Sequence, residues 1–151
     1  EIIGFPLTAT WCEKTDLFGK ERTYMHCFFE VGNGESLAFF QFADQEDAEE
    51  FGPELPLSGF RHLAMKVDQE TQDGIKRRLE AAGYEPPQMY ILNHGYCYSL
   101  YVVDPANLLI EFTVDHDDVA HINEAQKQKA HAELARWLAG DHTPNNEQYH
   151  R

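Results

Sequence analysis

Long apolar runs, paired cysteines and basic side chains are all scarce in this sequence. No apolar run reaches the roughly 18 residues that a membrane-spanning helix needs, so such a helix is excluded. The first residues also do not form the basic and apolar leader of a secreted protein. The three cysteines, Cys12, Cys27 and Cys97, are odd in number and lack the spacing of a redox or metal motif. We therefore expect free thiols in a cytoplasmic protein.

Acidic residues outnumber basic ones by a wide margin. The chain has 12 lysines and arginines against 26 aspartates and glutamates, which gives a formal net charge of -14 at pH 7. This charge repels the phosphates of nucleic acid and the headgroups of anionic membranes, so we expect neither as a partner. A small aromatic substrate would not be repelled. Much of the acid lies in residues 44–50, which we interpret as the solvated face of a helix or turn.

The order of the predicted elements indicates an α+β protein built from two copies of a βαβββ module. At 151 residues the chain is long enough for one core but short for two independent domains. A glycine, an aromatic residue and a nearby proline end a helix-like stretch at Gly83 and recur at Gly4. The predicted strands are Leu7–Trp11, Arg22–Val31, Ser36–Phe42 (after a turn at Gly32-Asn33-Gly34), Phe60–Val67, Gln88–Leu92, Tyr96–Val103 and Leu108–Val114, and the predicted helices are Glu70–Ala82 and Val119–Leu138.

The two copies differ at their beginnings. The second copy starts with a strand that holds His62, which lies 21 residues before Gly83, and the matching position before Gly4 falls ahead of residue 1. We therefore expect the first strand and helix of the first copy, with any metal ligand that they carry, to lie upstream. On this basis residues 1–115 form one domain that is incomplete at its N-terminus, and residues 116–151 form a C-terminal helix and a polar tail.

Two polar side chains in the second copy occupy strand positions. Glu111 lies between two apolar residues, where an unpaired buried carboxylate would cost roughly several kcal/mol, so it needs a cation nearby. His62 lies in another strand-like segment, on the face shared with Phe60 and Ala64. Each residue alone is ordinarily a solvated or ion-paired side chain. Together they supply two thirds of the set of two histidines and one carboxylate that holds Fe(II) in non-haem oxygenases.

The residues around Glu111 and His62 resemble those of the vicinal oxygen chelate superfamily. Asp104-Pro105-Ala106-Asn107-Leu108-Leu109-Ile110-Glu111 is similar to its ending Asp-Pro-x-Gly-Asn-x-hydrophobic-Glu, and Phe60-Arg61-His62-Leu63-Ala64 is similar to its second histidine strand. The superfamily contains glyoxalase I, the fosfomycin and bleomycin resistance proteins and the extradiol catechol dioxygenases. The resemblance covers roughly residues 4 to 115. It implies paired βαβββ modules that form a curved mixed sheet around a metal or ligand cavity.

The longer stretch that begins at His94 is close to the signature of the extradiol dioxygenases. The matching positions are His94, Leu100, Tyr101, Asp104, Pro105 and Glu111, whereas Asn107 and Leu92 depart from the signature. The resemblance implies that His62 and Glu111 bind a divalent metal, in this family Fe(II). It also implies that His94 steers a small catechol-like aromatic substrate and that Tyr101 donates a hydrogen bond to a substrate oxygen. A neutral imidazole and an uncharged phenol suit these roles.

Other functions stay open because two expected groups are missing. The dioxygenases use a histidine base shortly before the strand of His62, and residues 44–61 contain none. A resemblance to glyoxalase I, a lyase, implies a metal site with four ligands, one of them a carboxylate on the third strand of the first copy. At that strand this sequence offers only Gln41. A metal-free binding protein of the bleomycin-resistance kind needs neither group but leaves Glu111 without a partner. We also expect an uncovered sheet edge, which a homodimer would cover.

Overall fold

Seven strands and three helices follow one another in the computed structural model, which describes residues 2–32, 34–53, 56 and 58–146. The strands are β1 Leu7–Leu17, β2 Lys20–Gly32, β3 Glu35–Phe42, β4 His62–Lys66, β5 Met89–Asn93, β6 Cys97–Val103 and β7 Leu109–Asp115. The helices are α1 Gln45–Phe51, α2 Gln69–Ala81 and α3 Val119–Leu138. The chain divides into two compact units, Glu1–Pro56 (unit 1) and Leu57–Arg151 (unit 2).

Unit 1 is a three-stranded antiparallel sheet in the order β1-β2-β3, followed by α1. The first hairpin is longer than predicted, because β1 continues past Trp11 and pairs with β2 as far as Leu17. The turn at Phe18 and Gly19 has positive φ at both residues, as a tight two-residue hairpin needs. A phenylalanine rarely adopts positive φ, so the sequence carried no turn signal at this point. The predicted turn residue Asn33 lies outside the described residues.

The acidic stretch around α1 is only partly solvated. The side chain of Asp44 caps α1 by accepting from the backbone N–H groups of Glu46 and Asp47. Asp47 itself is 1% exposed and lies within 2.7 Å of the ammonium group of Lys20 and in contact with the buried guanidinium of Arg22. These two cations hold the pKa of Asp47 below its usual range, the hydrogen bond from Lys20 contributing most. The other acidic residues of this stretch, Asp44, Glu46, Glu49 and Glu50, are exposed, so Asp47 is the exception to the predicted solvated face.

Unit 2 has the predicted βαβββ order and carries the C-terminal helix. Its sheet runs β4-β7-β6-β5, with β4 parallel to β7 and the other pairs antiparallel, and α2 connects β4 to β5. Unit 1 contains the three strands of the other copy, and no strand or helix precedes β1 within described residues 2–6. The predicted α+β class is confirmed.

One face of the sheet in unit 2 forms the core. Leu100 and Phe112 are directly opposed on β6 and β7 and have no exposed surface, as is also true of Ile75 on α2. The buried amide of Gln72 donates to the carbonyl oxygens of Tyr98 and Phe112, which attaches α2 to the two central strands. Because side chains alternate along a strand, the neighbours of Leu100 and Phe112 point to the opposite face. That face carries the candidate site.

The predicted turn between β6 and β7 is confirmed, and its geometry explains one departure from the family pattern. The side chain of Asp104 accepts from the backbone N–H groups of Ala106 and Leu108, each over 2.8 Å. Asn107 has φ 63°, a conformation that glycine adopts freely and asparagine tolerates better than other residues. Asn107 can therefore stand where the family has glycine.

The remaining predictions about the chain concern its thiols and its last helix. Cys12 is exposed and free, while Cys27 and Cys97 are buried and free, as expected. The C-terminal helix α3 spans the predicted residues and buries Ile122, but its other large apolar side chains, Leu134, Trp137 and Leu138, are exposed. In the part of the chain that the structure describes, no helix is both long enough and apolar enough to span a membrane.

Candidate functional site

The candidate site begins with a histidine and a carboxylate on adjacent parallel strands. His62 is the first residue of β4, and Glu111 lies in the middle of β7 opposite Ala64, so both side chains share one face of the sheet. Nε2 of His62 lies 2.9 Å from Oε2 of Glu111. The Glu111 side chain is 7% exposed, whereas that of His62 is 33% exposed and reaches solvent. The expected common face with Ala64 is confirmed, but Phe60 precedes the strand and is 98% exposed.

The second oxygen of Glu111 is held by the neighbouring strand. Tyr101 on β6 is directly opposed to Glu111, and its buried phenol donates to Oε1 of the carboxylate over 2.9 Å. Burial raises the pKa of Tyr101, and the hydrogen bond to Glu111 raises it further. The phenol is therefore uncharged at any physiological pH. It also stacks on the ring of Tyr90, with centroids 5.0 Å apart and planes at 18°.

His94 completes the row of polar groups. It lies in the loop between β5 and β6, and its Nε2 is 3.0 Å from the phenol oxygen of Tyr101. A phenol has one proton, which Tyr101 gives to Glu111, so in this contact the nitrogen of His94 must be the donor. This assigns the neutral imidazole to the tautomer with the proton on Nε2, which leaves the lone pair on Nδ1.

All four residues proposed from the sequence thus lie together in unit 2, in the order His62, Glu111, Tyr101, His94. Each contact is between 2.9 and 3.0 Å. The single proton of Tyr101 is directed at Glu111, and its expected hydrogen bond to a substrate oxygen stays a prediction. Within the structure its immediate role is to orient the carboxylate.

The donor chemistry of His62 and Glu111 fits a divalent cation. Two ligands bound about 2.1 Å from one ion and at right angles to it are about 3.0 Å apart, which is close to the observed 2.9 Å. The neutral phenol on Oε1 is the kind of second hydrogen bond that orients a carboxylate ligand. However, the described residues contain no group of three or more histidine, cysteine, aspartate or glutamate side chains that could hold a metal. A metal site that used His62 and Glu111 would therefore need a third donor.

Two residues near the site were not singled out from the sequence. Tyr90 is opposed to Tyr101 across β5 and β6, and the alternation of strand residues would have placed it on the same face. Asn146 donates from Nδ2 to the backbone oxygen of His94 over 3.1 Å. It lies 52 positions away in a polar tail, and no local pattern indicates that contact.

Comparison with known proteins gives only distant similarities. No protein-family model matches the chain, and no curated protein matches its sequence. Among solved structures it is similar to the fosfomycin resistance protein FosX from Listeria monocytogenes, with 19% identity, a TM-score of 0.48 and coverage of 78% of this chain and 80% of that chain. FosX from Mesorhizobium loti gives 21% identity and a TM-score of 0.45, with coverage of 74% and 72%. Lactoylglutathione lyase from Agrobacterium tumefaciens gives 24% and 0.39, with coverage of 76% and 78%.

These proteins are members of the vicinal oxygen chelate superfamily, the family that the sequence resembles. A Listeria FosX structure with a TM-score of 0.47 contains Mn(II) and a sulfate ion. At these TM-scores and identities the likeness carries no argument about activity.

Proposed function

We propose that the chain is part of a metal-dependent enzyme that acts on a small catechol-like aromatic compound, in the manner of the extradiol ring-cleavage dioxygenases. The observation that carries this proposal is the 2.9 Å approach of Nε2 of His62 to Oε2 of Glu111 on one face of the sheet. The placement of Tyr101 and His94 beside that pair supports it, because the dioxygenase signature contains both residues.

His62 and Glu111 would hold the metal, with a third ligand from outside the described residues. When bound, Fe(II) would supply a Lewis-acidic and redox-active centre for a catechol-like substrate and O2. For His62 to bind through Nε2, that nitrogen must carry a lone pair, so its proton must lie on Nδ1. Glu111 needs no comparable proton shift, because its Oε2 already lies beside Nε2 of His62.

Tyr101 and His94 would act on the geometry and protons of the site. Tyr101 keeps one oxygen of Glu111 occupied, which fixes the plane of the carboxylate and leaves the other oxygen directed at the cation. His94 donates through Nε2 and has its lone pair on Nδ1, so it is the one member of the row suited to accept a proton from a substrate hydroxyl. This role would replace the histidine base that residues 44–61 lack.

One observation favours a second function, a metal-free binding protein of the bleomycin-resistance kind. From the sequence, a metal-free protein would leave Glu111 without a partner. In the structure, however, the hydroxyl of Tyr101 donates to one oxygen of Glu111 and the ring of His62 contacts the other. A hydrogen bond from the His62 ring and one from the neutral phenol could together satisfy the buried carboxylate without a metal. The glyoxalase alternative gains no comparable support, because Gln41 is exposed on β3.

Metal analysis and a colour assay distinguish these functions. Protein purified without oxygen is analysed for iron, manganese, nickel and zinc, and then exposed to air with catechol or 2,3-dihydroxybiphenyl. Stoichiometric iron and a yellow ring-fission product would support the dioxygenase. Nickel or zinc without colour would indicate a lyase, and the absence of any metal after supplementation would indicate the binding protein. The Glu111→Gln protein serves as the control for metal held at other positions.

A further inference from the structure

The segment after α3 folds back along the helix that precedes it. We call residues 141–146 the tail strap. The guanidinium of Arg136 binds it at two carbonyl oxygens, from Nη1 to Asp141 over 3.2 Å and from Nη2 to Thr143 over 2.9 Å. The same Nη1 lies 3.0 Å from the carboxylate of Asp141, and Nε donates to Glu133 over 2.9 Å. Arg136 therefore joins the strap to the last turns of α3 through three polar contacts, and its contact with Glu133 lies within the helix.

Hydrogen bonds from two asparagines connect the strap to α3 and to the candidate site. Asn145 donates to the Glu133 carboxylate over 2.8 Å, which ties the strap to the same acid that Arg136 binds. The next residue, Asn146, donates to the backbone oxygen of His94 over 3.1 Å. A salt-bridged pair on α3 is thus connected to the loop that carries His94.

The loop of His94 depends on few other contacts. The backbone N–H of His94 donates to the carbonyl of Cys97, and the side chain of Asn93 accepts from the N–H of Gly95. Gly95 has φ 83°, so the loop turns through a conformation that few residues adopt. The ring of His94 lies over that of Tyr96, with centroids 5.8 Å apart. Asn146 contacts His94 itself from outside the β5–β6 hairpin, whereas the other outside contact of this loop, from the N–H of His116 to the carbonyl of Tyr96 over 2.9 Å, lies two residues further on.

We propose that the tail strap positions the imidazole of His94, and that Asn146 and Arg136 are positioning residues of the candidate site. Asn146 restrains the carbonyl of His94, and this keeps Nε2 of its ring directed at the hydroxyl of Tyr101. Arg136 acts one step further away by holding the strap in place. The contact itself does not depend on the proposed function, whereas its effect on catalysis does.

The test follows the imidazole signals of metal-free protein labelled with 15N, at a pH of about 8, above the usual imidazole pKa. The signals of His94 are assigned with a His94→Gln variant and compared in Asn146→Asp, Asn146→Gln and Arg136→Lys proteins. Asn146→Asp keeps the shape of the side chain but removes the donor, and Asn146→Gln retains a donor. We expect the wild-type ring in one tautomer with the proton on Nε2. We expect a mixture of tautomers in Asn146→Asp and Arg136→Lys, and a partial return to the single tautomer in Asn146→Gln.

The controls separate positioning from general damage. Asn123→Asp changes a carboxamide on α3 that lines a surface pocket together with Tyr96 and Asn146, and it should leave the signals of His94 unchanged. His62 should keep its wild-type signals in every variant. Unchanged signals of His94 in Asn146→Asp would overturn the inference, and so would equal changes at His62 and His94. Failure of the proposed function would be seen instead as the absence of metal binding by the wild-type chain, which is measured separately.

Discussion

Tyr101 and Glu111 face each other across β6 and β7, and the phenol donates to Oε1 of the carboxylate over 2.9 Å. Since Oε2 of the same carboxylate contacts His62, the orientation of both oxygens of Glu111 is fixed in the ligand-free protein. A carboxylate fixed in this way loses little conformational entropy when it binds a cation.

Replacement of Glu111 by glutamine should abolish metal binding and preserve the fold. The amide oxygen can still accept from Tyr101, but it carries no charge and is a weaker ligand for a divalent ion. We expect a loss of about 1 kcal/mol in the free energy of unfolding, the usual size for one altered hydrogen bond. Metal content by mass spectrometry and far-UV circular dichroism measure the two effects. Glu80→Gln, at a surface pair with Lys76, is the matched control; metal retained at wild-type stoichiometry in Glu111→Gln would refute the ligand role.

Replacement of Tyr101 by phenylalanine should weaken metal binding without removing it. The change deletes the hydroxyl on Oε1 of Glu111 and the partner of His94 but keeps the aromatic ring. Loss of a hydrogen bond that orients a ligand typically lowers metal affinity about 10- to 100-fold. Isothermal titration gives the affinity. Tyr90→Phe keeps the stacked ring and should bind metal as the wild type does; equal losses in both variants would show that the Tyr101 hydroxyl has no special part.

Two phenylalanines on the last strands of the two units should differ in their contribution to stability. Phe112 on β7 has no exposed surface, so Phe112→Ala should cost about 3 to 5 kcal/mol through lost burial and a cavity. Phe40 on β3 is 58% exposed, and Phe40→Ala should cost about 1 kcal/mol or less. Denaturant unfolding followed by circular dichroism measures both. A loss at Phe40 as large as that at Phe112 would contradict the burial that distinguishes them.

Acid should release the tail strap. Hydrogen bonds from Thr143 and from Arg136 lower the pKa of Asp141 from 3.8 to about 2, and the hydrogen bond from Arg136 lowers the pKa of Glu133. A carboxylate with a lowered pKa stabilises the docked state above its undocked pKa and ceases to do so as the pH falls through its docked pKa. Docking should therefore be complete near neutral pH and weaken between about 3.8 and about 2.

The amide signal of Thr143 reports this transition, because its N–H donates to the carboxylate of Asp141 over 3.0 Å. In an Asp141→Asn variant the signal should lie near its undocked position and change less with pH. Added salt should weaken docking in the wild type, since the charged groups are at least partly exposed to solvent. A transition centred near pH 4 and identical in both proteins would show that Asp141 does not hold the strap.

Local patterns predicted much of unit 2. The boundaries of α2 agree with the prediction to one residue, because Asp68 provides a helix cap and Gly83 a stop with φ 86°. Alternation and turn chemistry predicted β6, β7 and the turn between them. The full length of β1 could not be predicted, since its turn uses a phenylalanine with positive φ. The burial of Asp47 was not predicted, because its partners Lys20 and Arg22 lie on β2, far from Asp47 in the sequence.

The sequence by itself determined which residues could carry chemistry in this protein and on which strands or loops they lie. Residue type and spacing suffice for that, since they set side-chain direction along a strand. Only the tertiary structure decided that the four groups form one row, with the single proton of Tyr101 given to Glu111 and the carbonyl of His94 held by Asn146. Strand register and the path of the tail strap come from packing between residues far apart in the chain, and such packing leaves no local signal in the sequence.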